Sequence, residues 1–276
     1  MPVIIAGVLN LTPDSFSDGG RFTSVESAVA AGLAMFEAGA HWLDVGGEST
    51  RPHAEPVPES EEIRRVVPVI ERLASQLGPR ARISIDTYKA GTARAALAAG
   101  ASVVNDVSGG ILAPAILEVA ARAKAGVILG HLRGHPATMM ESVRFADVVA
   151  EVTTELGQRI AAARAAGCGE IWADPGIGFG KTLPHNLSLL AHLPWLRDRL
   201  GVPLMVGVSR KRFIGDLTGR PVAERAFGTA AAVSAAILGG AAVVRVHDVR
   251  EMSDVVKMAE AIASARAASY NGDPHA

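Results

Sequence analysis

Residues 82–106 read RISIDTYKAGTARAALAAGASVVND, and this stretch carries the fold in miniature. A short apolar run, Arg82–Ile85, ends in Asp86-Thr87. An alanine-rich segment with helical periodicity, Thr92–Ala99, follows; Gly100 closes it, and a second apolar run, Ser102–Asn105, begins almost at once. Unbroken apolar runs of this length suit strands buried on both faces, as in parallel sheets covered by helices. Glycine just past a helix is favoured because it accepts a left-handed backbone without steric cost.

Working outward, the same unit recurs along the chain. The apolar runs are Val3–Leu9, Trp42–Val45, Arg82–Ile85, Ser102–Asn105, Val127–Gly130, Ile171–Ala173, Pro203–Val208 and Ala242–Val246. The helical stretches are Val25–Ala38, Ser60–Leu77, Thr92–Ala99, Ala113–Ala123, Ala146–Ala166, Leu187–Leu200, Ala223–Leu238 and Glu251–Ala267, with Gly39, Gly78, Gly100, Gly126, Gly167 and Gly201 ahead of the next strand. Eight strand–helix units in 276 residues predict an α/β fold, a single (β/α)8 TIM barrel, rather than an open doubly wound sheet. No change of composition marks a second domain. Residues 1–268 are expected to form the barrel and the polar residues 269–276 a frayed tail.

Composition supports a large aliphatic core. Apolar residues make up 49% and charged residues 20%, with 7 Phe, 3 Trp and 2 Tyr, which argues against disorder. The 27 Lys and Arg balance 28 Asp and Glu, so there is no basic footprint and nucleic acid is not an expected partner. The lone cysteine, Cys168, excludes intrachain disulfides and cysteine-rich zinc sites; within Ala-Gly-Cys-Gly it reads as a small residue at a helix end. Ala226–Val244 carries no charge, but Gly239-Gly240 interrupts it. It reads as a buried helix and a buried strand, not a membrane span. Val3–Leu9 is too short for a signal peptide, so a cytoplasmic protein with no membrane association is expected. The first strand starts so close to Met1 that a segment closing the barrel bottom is expected to be missing or reduced.

In a barrel of this kind the active site forms at the C-terminal ends of the strands. Those ends hold Asn10; Asp44 and then Glu48-Ser-Thr-Arg51; Asp86-Thr87; Asn105-Asp106; His131; Asp174; Ser209-Arg-Lys211; and Arg245-Val-His247-Asp248. Every end is polar. Thr87, Asp106 and Asp248 read as helix caps or backbone partners, and Asp44 as the partner of a strand-end cation. Thr50-Arg51 and Arg245-x-His247 read as a phosphate or diphosphate clamp, since guanidinium forks match phosphate oxygens. Asp86, Asn105 and Asp174 suit a flat, nitrogen-rich heterocycle with an amino-pyrimidine edge. Lys211 is read either as a Schiff-base nucleophile or as a hydrogen-bond donor to a ring carbonyl, with the acidic company favouring the donor. The long polar loops Leu11–Ser24 and Glu48–Glu59 read as covers that order around substrate. Asp174–Thr182 is rich in glycine but lacks Walker A spacing.

Taken in order, seven motifs resemble those of dihydropteroate synthases. They are Asn10-Leu-Thr-Pro-Asp-Ser-Phe-Ser-Asp-Gly19, Asp44-Val-Gly-Gly-Glu-Ser-Thr-Arg-Pro52, Ser84-Ile-Asp-Thr87, Val104-Asn-Asp-Val107, Asp174-Pro-Gly-Ile-Gly-Phe-Gly-Lys181, Gly207-Val-Ser-Arg-Lys211 and Arg245-Val-His247. The resemblance spans essentially the whole chain. It implies a transferase of folate biosynthesis, in a class targeted by sulfonamides, which condenses (7,8-dihydropterin-6-yl)methyl diphosphate with 4-aminobenzoate. It further implies a Mg2+ requirement and a homodimer. Carried over, it puts pterin on Asp86, Asn105, Asp174, Lys211, Leu132 and Phe179, and diphosphate on Asn10, Thr50, Arg51, Arg245 and His247. Aminobenzoate would lie near Phe16, Thr50, Pro52, Phe179, Ser209 and Lys211. Asp86, Lys211, Arg245 and Asn10 would be catalytic, with Asn10 beside the Mg2+. The chain departs from the family where Gly130-His131-Leu132-Arg133 replaces a Met-His-Met type run. Leu132 is then expected to pack on the pterin, and the role of His131 stays open. The alternatives are a non-synthase pterin module of folate-dependent methyl transfer, which would need no diphosphate clamp, an inactive paralogue, and a Schiff-base aldolase barrel.

Overall fold

A computed structural model describes residues 2–11, 24–51, 54–141 and 143–270. Eight parallel strands close into a barrel in sequence order: β1 (Ile4–Asn10), β2 (Trp42–Gly46), β3 (Arg82–Asp86), β4 (Val103–Asp106), β5 (Gly126–Gly130), β6 (Ile171–Asp174), β7 (Leu204–Gly207) and β8 (Ala241–Val246). Ten helices surround them among the described residues: α1 (Val25–Glu37), α2 (Glu59–Leu77), α3 (Ala90–Ala98), α4 (Ala115–Arg122), α5 (Val148–Ala165), α6 (Leu183–Ala191), α7 (Leu193–Leu200), α8 (Arg212–Thr218), α9 (Ala226–Leu238) and α10 (Val249–Tyr270). The (β/α)8 expectation therefore holds.

Alternation along each strand sorts the side chains into two cores. Ile5, Leu43, Ile83, Val104, Leu129, Ala173, Val206 and Val244 face outward and join the apolar faces of the helices. The opposite parity points into the barrel. At its lower level Ala6, Trp42, Val103, Ile128, Trp172, Met205 and Val243 form a second, internal cluster. Trp42 and Trp172 meet edge to face with ring centroids 5.0 Å apart, and the Arg82 guanidinium caps both rings at 5.4 and 5.7 Å while bonding Glu170 at 2.6 Å. This aromatic plug fills the barrel bottom. Higher up, the same inward parity brings Asp44, Ser84, Asp86, Asn105, Asp174 and Arg245 to the opposite mouth.

Three details differ from the sequence-based expectation. The helix expected over Leu187–Leu200 is two helices, α6 and α7, meeting at His192. Pro194 stands in the first turn of α7, where its missing N–H costs nothing, whereas inside one long helix it would break the hydrogen-bond ladder. Gly126 lies in β5 rather than capping a helix; Lys124 takes the left-handed position (φ 53°), and a Cβ on Gly126 would come within 2.7 Å of the Trp172 ring. The charge-free Ala226–Val244 segment does become a helix and a strand, but the preceding turn holds an additional short helix, α8. The last helix runs through Tyr270; the remainder of the expected tail, most of the Leu11–Ser24 loop, and Pro52-His53 lie outside the described residues. No helix among the described residues is long and apolar enough to cross a membrane.

Candidate active site

The C-terminal mouth of the barrel opens into a narrow cavity. Asp86, Asn105, Asp174, Lys211 and Arg245 line it, with Phe179 as an aromatic wall and the backbones of Gly130, Gly176 and Gly207 allowing close approach. Val107 and Met205 supply further apolar lining. These strand ends come together because Gly46 pairs in register with both Asn10 and Asp86, Asp86 with Asn105, Gly130 with Asp174, and Gly207 with Arg245.

Arg245 is the electrostatic centre. Its Nε donates to Asp44 at 2.5 Å and its Nη2 to Asp86 at 2.5 Å. Burial works against the cation, but the Asp44 and Asp86 carboxylates outweigh it and hold Arg245 charged. For Asp86 burial dominates over Arg245 and pushes the carboxyl up to about 7; the nearby charge of Asp44 adds to the shift. Asp174 accepts from the Gly176 N–H at 2.7 Å, and burial raises it against the opposing charge of Lys211. Lys211 donates to the Ile177 carbonyl, and its Nζ sits 4.3 Å from the centre of the Phe179 ring. Burial lowers its ammonium to about 8, with Asp174 resisting.

Above this layer the charge turns positive. His247 is pushed down to about 3 by burial, then by the charges of Arg245 and Arg210, with Arg51 contributing as well. The Ser209 hydroxyl accepts from the His247 backbone N–H at 3.2 Å and lies 3.1 Å from Nδ1. Arg51 is exposed on the segment after β2, with Thr50 beside it. The Asn10 amide oxygen lies at the end of β1: a Cβ built on Gly46 would stand 3.6 Å from both Asn10 Oδ1 and Asp86 Oδ2. Among the described residues no group of three or more His, Cys, Asp or Glu could hold a metal by itself.

The structure brings together Asp86, Asn105, Asp174, Lys211, Phe179 and Arg245 around one cavity, and sets Ser209 and His247 beside each other near Arg245. Leu132 is not among the residues lining the cavity; it packs directly behind it, with Met139 and with Val107, which does line it, and Phe179 rests against the same cluster. Phe16 and Pro52 lie outside the described residues. His131 is fully buried with both ring nitrogens engaged, Nε2 with Glu155 at 3.1 Å and Nδ1 with the Lys181 ammonium at 3.0 Å. It also counts among the residues lining the cavity, with its ring nitrogens spent on Glu155 and Lys181. Thr87 and Asp106 serve backbone groups as expected, whereas Asp248 bonds Arg210 through both guanidinium arms.

Sequence reasoning missed several supports. Lys181, 3% exposed, reaches the carbonyls of Phe179 and His131 as well as the His131 ring. Arg210 holds a left-handed backbone (φ 59°), and Arg225 from the start of α9 donates to the carbonyls of Arg210 and Lys211. Only Lys181 carried a signal, as a cation closing a glycine-rich stretch; the other partners are distant in sequence.

Comparisons with known proteins agree with this fold. Residues 6–247 match the model of a family described as pterin binding enzymes. A dihydropteroate synthase of Synechocystis sp. is 48% identical over 94% of this chain and 89% of its own length. Among solved structures, the Yersinia pestis dihydropteroate synthase in a sulfonamide drug complex superposes with a TM-score of 0.90 at 40% identity, covering 95% of both chains. The Xanthomonas albilineans dihydropteroate synthase in complex with 7,8-dihydropteroate gives 0.84 at 45% identity, covering 95% of this chain and 94% of the other. This chain belongs to the pterin-binding enzyme family, among its dihydropteroate synthases.

Proposed function

We propose that the barrel condenses (7,8-dihydropterin-6-yl)methyl diphosphate with 4-aminobenzoate to 7,8-dihydropteroate and diphosphate. The observation that carries the reading is one cavity in which an acceptor-rich floor, Asp86, Asn105 and Asp174, meets a mouth whose cations are Arg245 and Arg51, with the neutral imidazole of His247 beside them. The floor suits the N–H-rich edge of a pterin, with Asp174 on the amino-pyrimidine side and Lys211 on the ring oxygen. Diphosphate belongs at the mouth, on Arg245, His247, Thr50 and Arg51. Aminobenzoate fits between Phe179 and Ser209, with Lys211 beside it.

The methylene carbon–oxygen bond breaks and its electron pair leaves with diphosphate, whose charge the mouth cations offset. The positive charge left on the dihydropterin lies close to the Asp86 carboxylate. The aromatic amine then donates its lone pair to the methylene carbon and loses a proton to solvent, so no covalent enzyme intermediate forms. Exclusion of water matters because water competes for the same carbon.

Mg2+ fits this donor set. It commonly binds through few protein oxygens, with substrate phosphates and water supplying the rest. Asn10 Oδ1, close to Asp86 at the mouth, is the oxygen that would hold it, and the bound ion would neutralise diphosphate charge.

The decisive assay follows diphosphate release from the dihydropterin diphosphate and Mg2+, with and without 4-aminobenzoate. Release coupled to dihydropteroate formation, with kcat/KM reduced about 100-fold or more in Arg245→Ala, is expected. Pterin binding without turnover would return the chain to the methyl-transfer module reading.

A homodimer belongs to the same proposal. Phe227 is 91% exposed at the start of α9, and Leu217, Val222, Met258 and Ile262 are also exposed on α8, α10 and the connecting turn. Apolar exposure of this kind suits an interface. Sedimentation should show a dimer that Phe227→Glu converts to monomer; a monomeric unmodified protein removes the proposal. Residence in the cytoplasm accords with the absence of any disulfide framework and is checked by cell fractionation.

A further inference from the structure

Asp44 touches three groups of the site, yet the chemistry above gives it no part. It lies mid-strand in β2, 1% exposed, in register with Val8 and Ser84. Its Oδ1 accepts from the Ser84 hydroxyl; its Oδ2 accepts from Asn105 Nδ2 at 3.1 Å and from Arg245 Nε at 2.5 Å. With both oxygens held by separate partners, the carboxylate has one orientation. A carboxylate in this setting only accepts, so the NH2 end of the Asn105 amide must face it. The other end, the carbonyl Oδ1, is left for the cavity that Asn105 lines.

We propose that Asp44 is a positioning residue that sets the polarity of Asn105, turning its acceptor towards the cavity and thereby selecting heterocycles that present an N–H at that point. The assignment rests on the pterin reading above and goes beyond it by naming what decides the ligand's hydrogen-bond pattern. A heterocycle offering a ring-nitrogen lone pair there meets an acceptor and is rejected, because two facing acceptors leave both unsatisfied when buried. The same carboxylate fastens Arg245 at Nε, so its terminal nitrogens are turned to Asp86 and the mouth.

The test compares two substitutions of Asp44, read by calorimetric binding of 6-hydroxymethylpterin. Asp44→Asn keeps a carbonyl oxygen for Asn105 Nδ2 and Arg245 Nε and turns its own NH2 to the Ser84 hydroxyl. The Asn105 amide then holds its direction, and binding should stay within about fivefold of the unmodified protein, a rescue by the conservative variant. Asp44→Leu removes the acceptor, frees the amide to turn its NH2 to the cavity, and should weaken binding about tenfold or more. Equal loss in both variants, or equal retention in both, overturns the assignment. Should either variant fail to fold, the unmodified protein decides: nuclear Overhauser contacts between the Asn105 side-chain amide protons and bound pterin overturn it, and their confinement to the protein supports it. If the unmodified protein binds no pterin at all, the functional reading falls and this assignment with it; losses confined to the variants leave that reading intact.

Discussion

His131 shows how one buried side chain can tie the mouth of the barrel to pH. Its imidazole is held down to about 4 mainly by burial, with Glu155 opposing and the Lys181 cation 3.0 Å from Nδ1 reinforcing the shift. The folded protein therefore keeps His131 neutral through a range in which the unfolded chain, with an ordinary value near 6.5, already carries the proton. As pH falls from about 6.5 towards 4 the unfolded state binds more protons at this position, and His131 removes up to about 1.4 kcal/mol of stability per pH unit. Buried carboxyls with raised values, such as Asp106 and Asp174, act in the opposite direction, so the net slope is not the measure of His131. The measure is a difference. Denaturant unfolding of His131→Gln from pH 6.5 to 4 should lose stability less steeply than the unmodified protein, and the His131 ring resonance should titrate near 4. A ring titrating above 6 would refute the account. None of this was legible in the sequence, because Glu155 and Lys181 lie 24 and 50 residues away with no periodic relation to His131.

At the scale of elements, the strands and most helices were readable because parallel strands buried on both faces leave unbroken apolar runs. The turn after β7 was not. Arg210 occupies a left-handed conformation that costs a non-glycine residue about 1 kcal/mol, and only its surroundings explain its survival there. Asp248 grips its guanidinium, Thr229 Oγ1 accepts from its backbone N–H at 3.1 Å, and Arg225 holds the carbonyls of Arg210 and Lys211 at 3.1 and 3.3 Å. Gly215 makes room for Arg225: a Cβ there would fall 2.2 Å from the guanidinium. Short helix α8 is thus set by a clamp built from α9 and the end of β8, which no local pattern in Lys211–Gly219 encodes. Arg225→Ala should release Lys211 from its place beside Phe179 and Ile177. The expected result is a drop in kcat/KM of about tenfold, with a stability loss of about 1 kcal/mol as two partly buried carbonyls lose a charged donor. Steady-state kinetics beside thermal melts distinguishes this from general destabilisation; unchanged kcat/KM would show that Lys211 does not depend on the clamp.

Across the whole molecule, the inward parity of the strands divides the barrel into a lower level that holds it together and an upper level available for chemistry. The site residues were legible as types and positions, since polar side chains end every apolar run, but not as partners: the sequence places Arg245 and Asp86 159 residues apart and gives no hint that they bond. The lower level was legible only as apolar. Its Trp42–Trp172 pair is confined by Gly126, whose missing side chain leaves room for the Trp172 ring, and is covered by Arg82 and Glu170. Trp172 stands on the same inward face of β6 as Asp174, one level below it. Truncating it should therefore separate the two levels. Trp172→Ala removes a large buried ring and should cost about 3–5 kcal/mol by denaturant unfolding. Turnover per folded molecule at low temperature should stay within about threefold, because Asp174 is held by the Gly176 N–H and the strand ladder rather than by the indole. A fall in kcat/KM that tracks the stability loss would instead show that the plug sets the position of the pterin-facing carboxylate, and the division between the two levels would not hold.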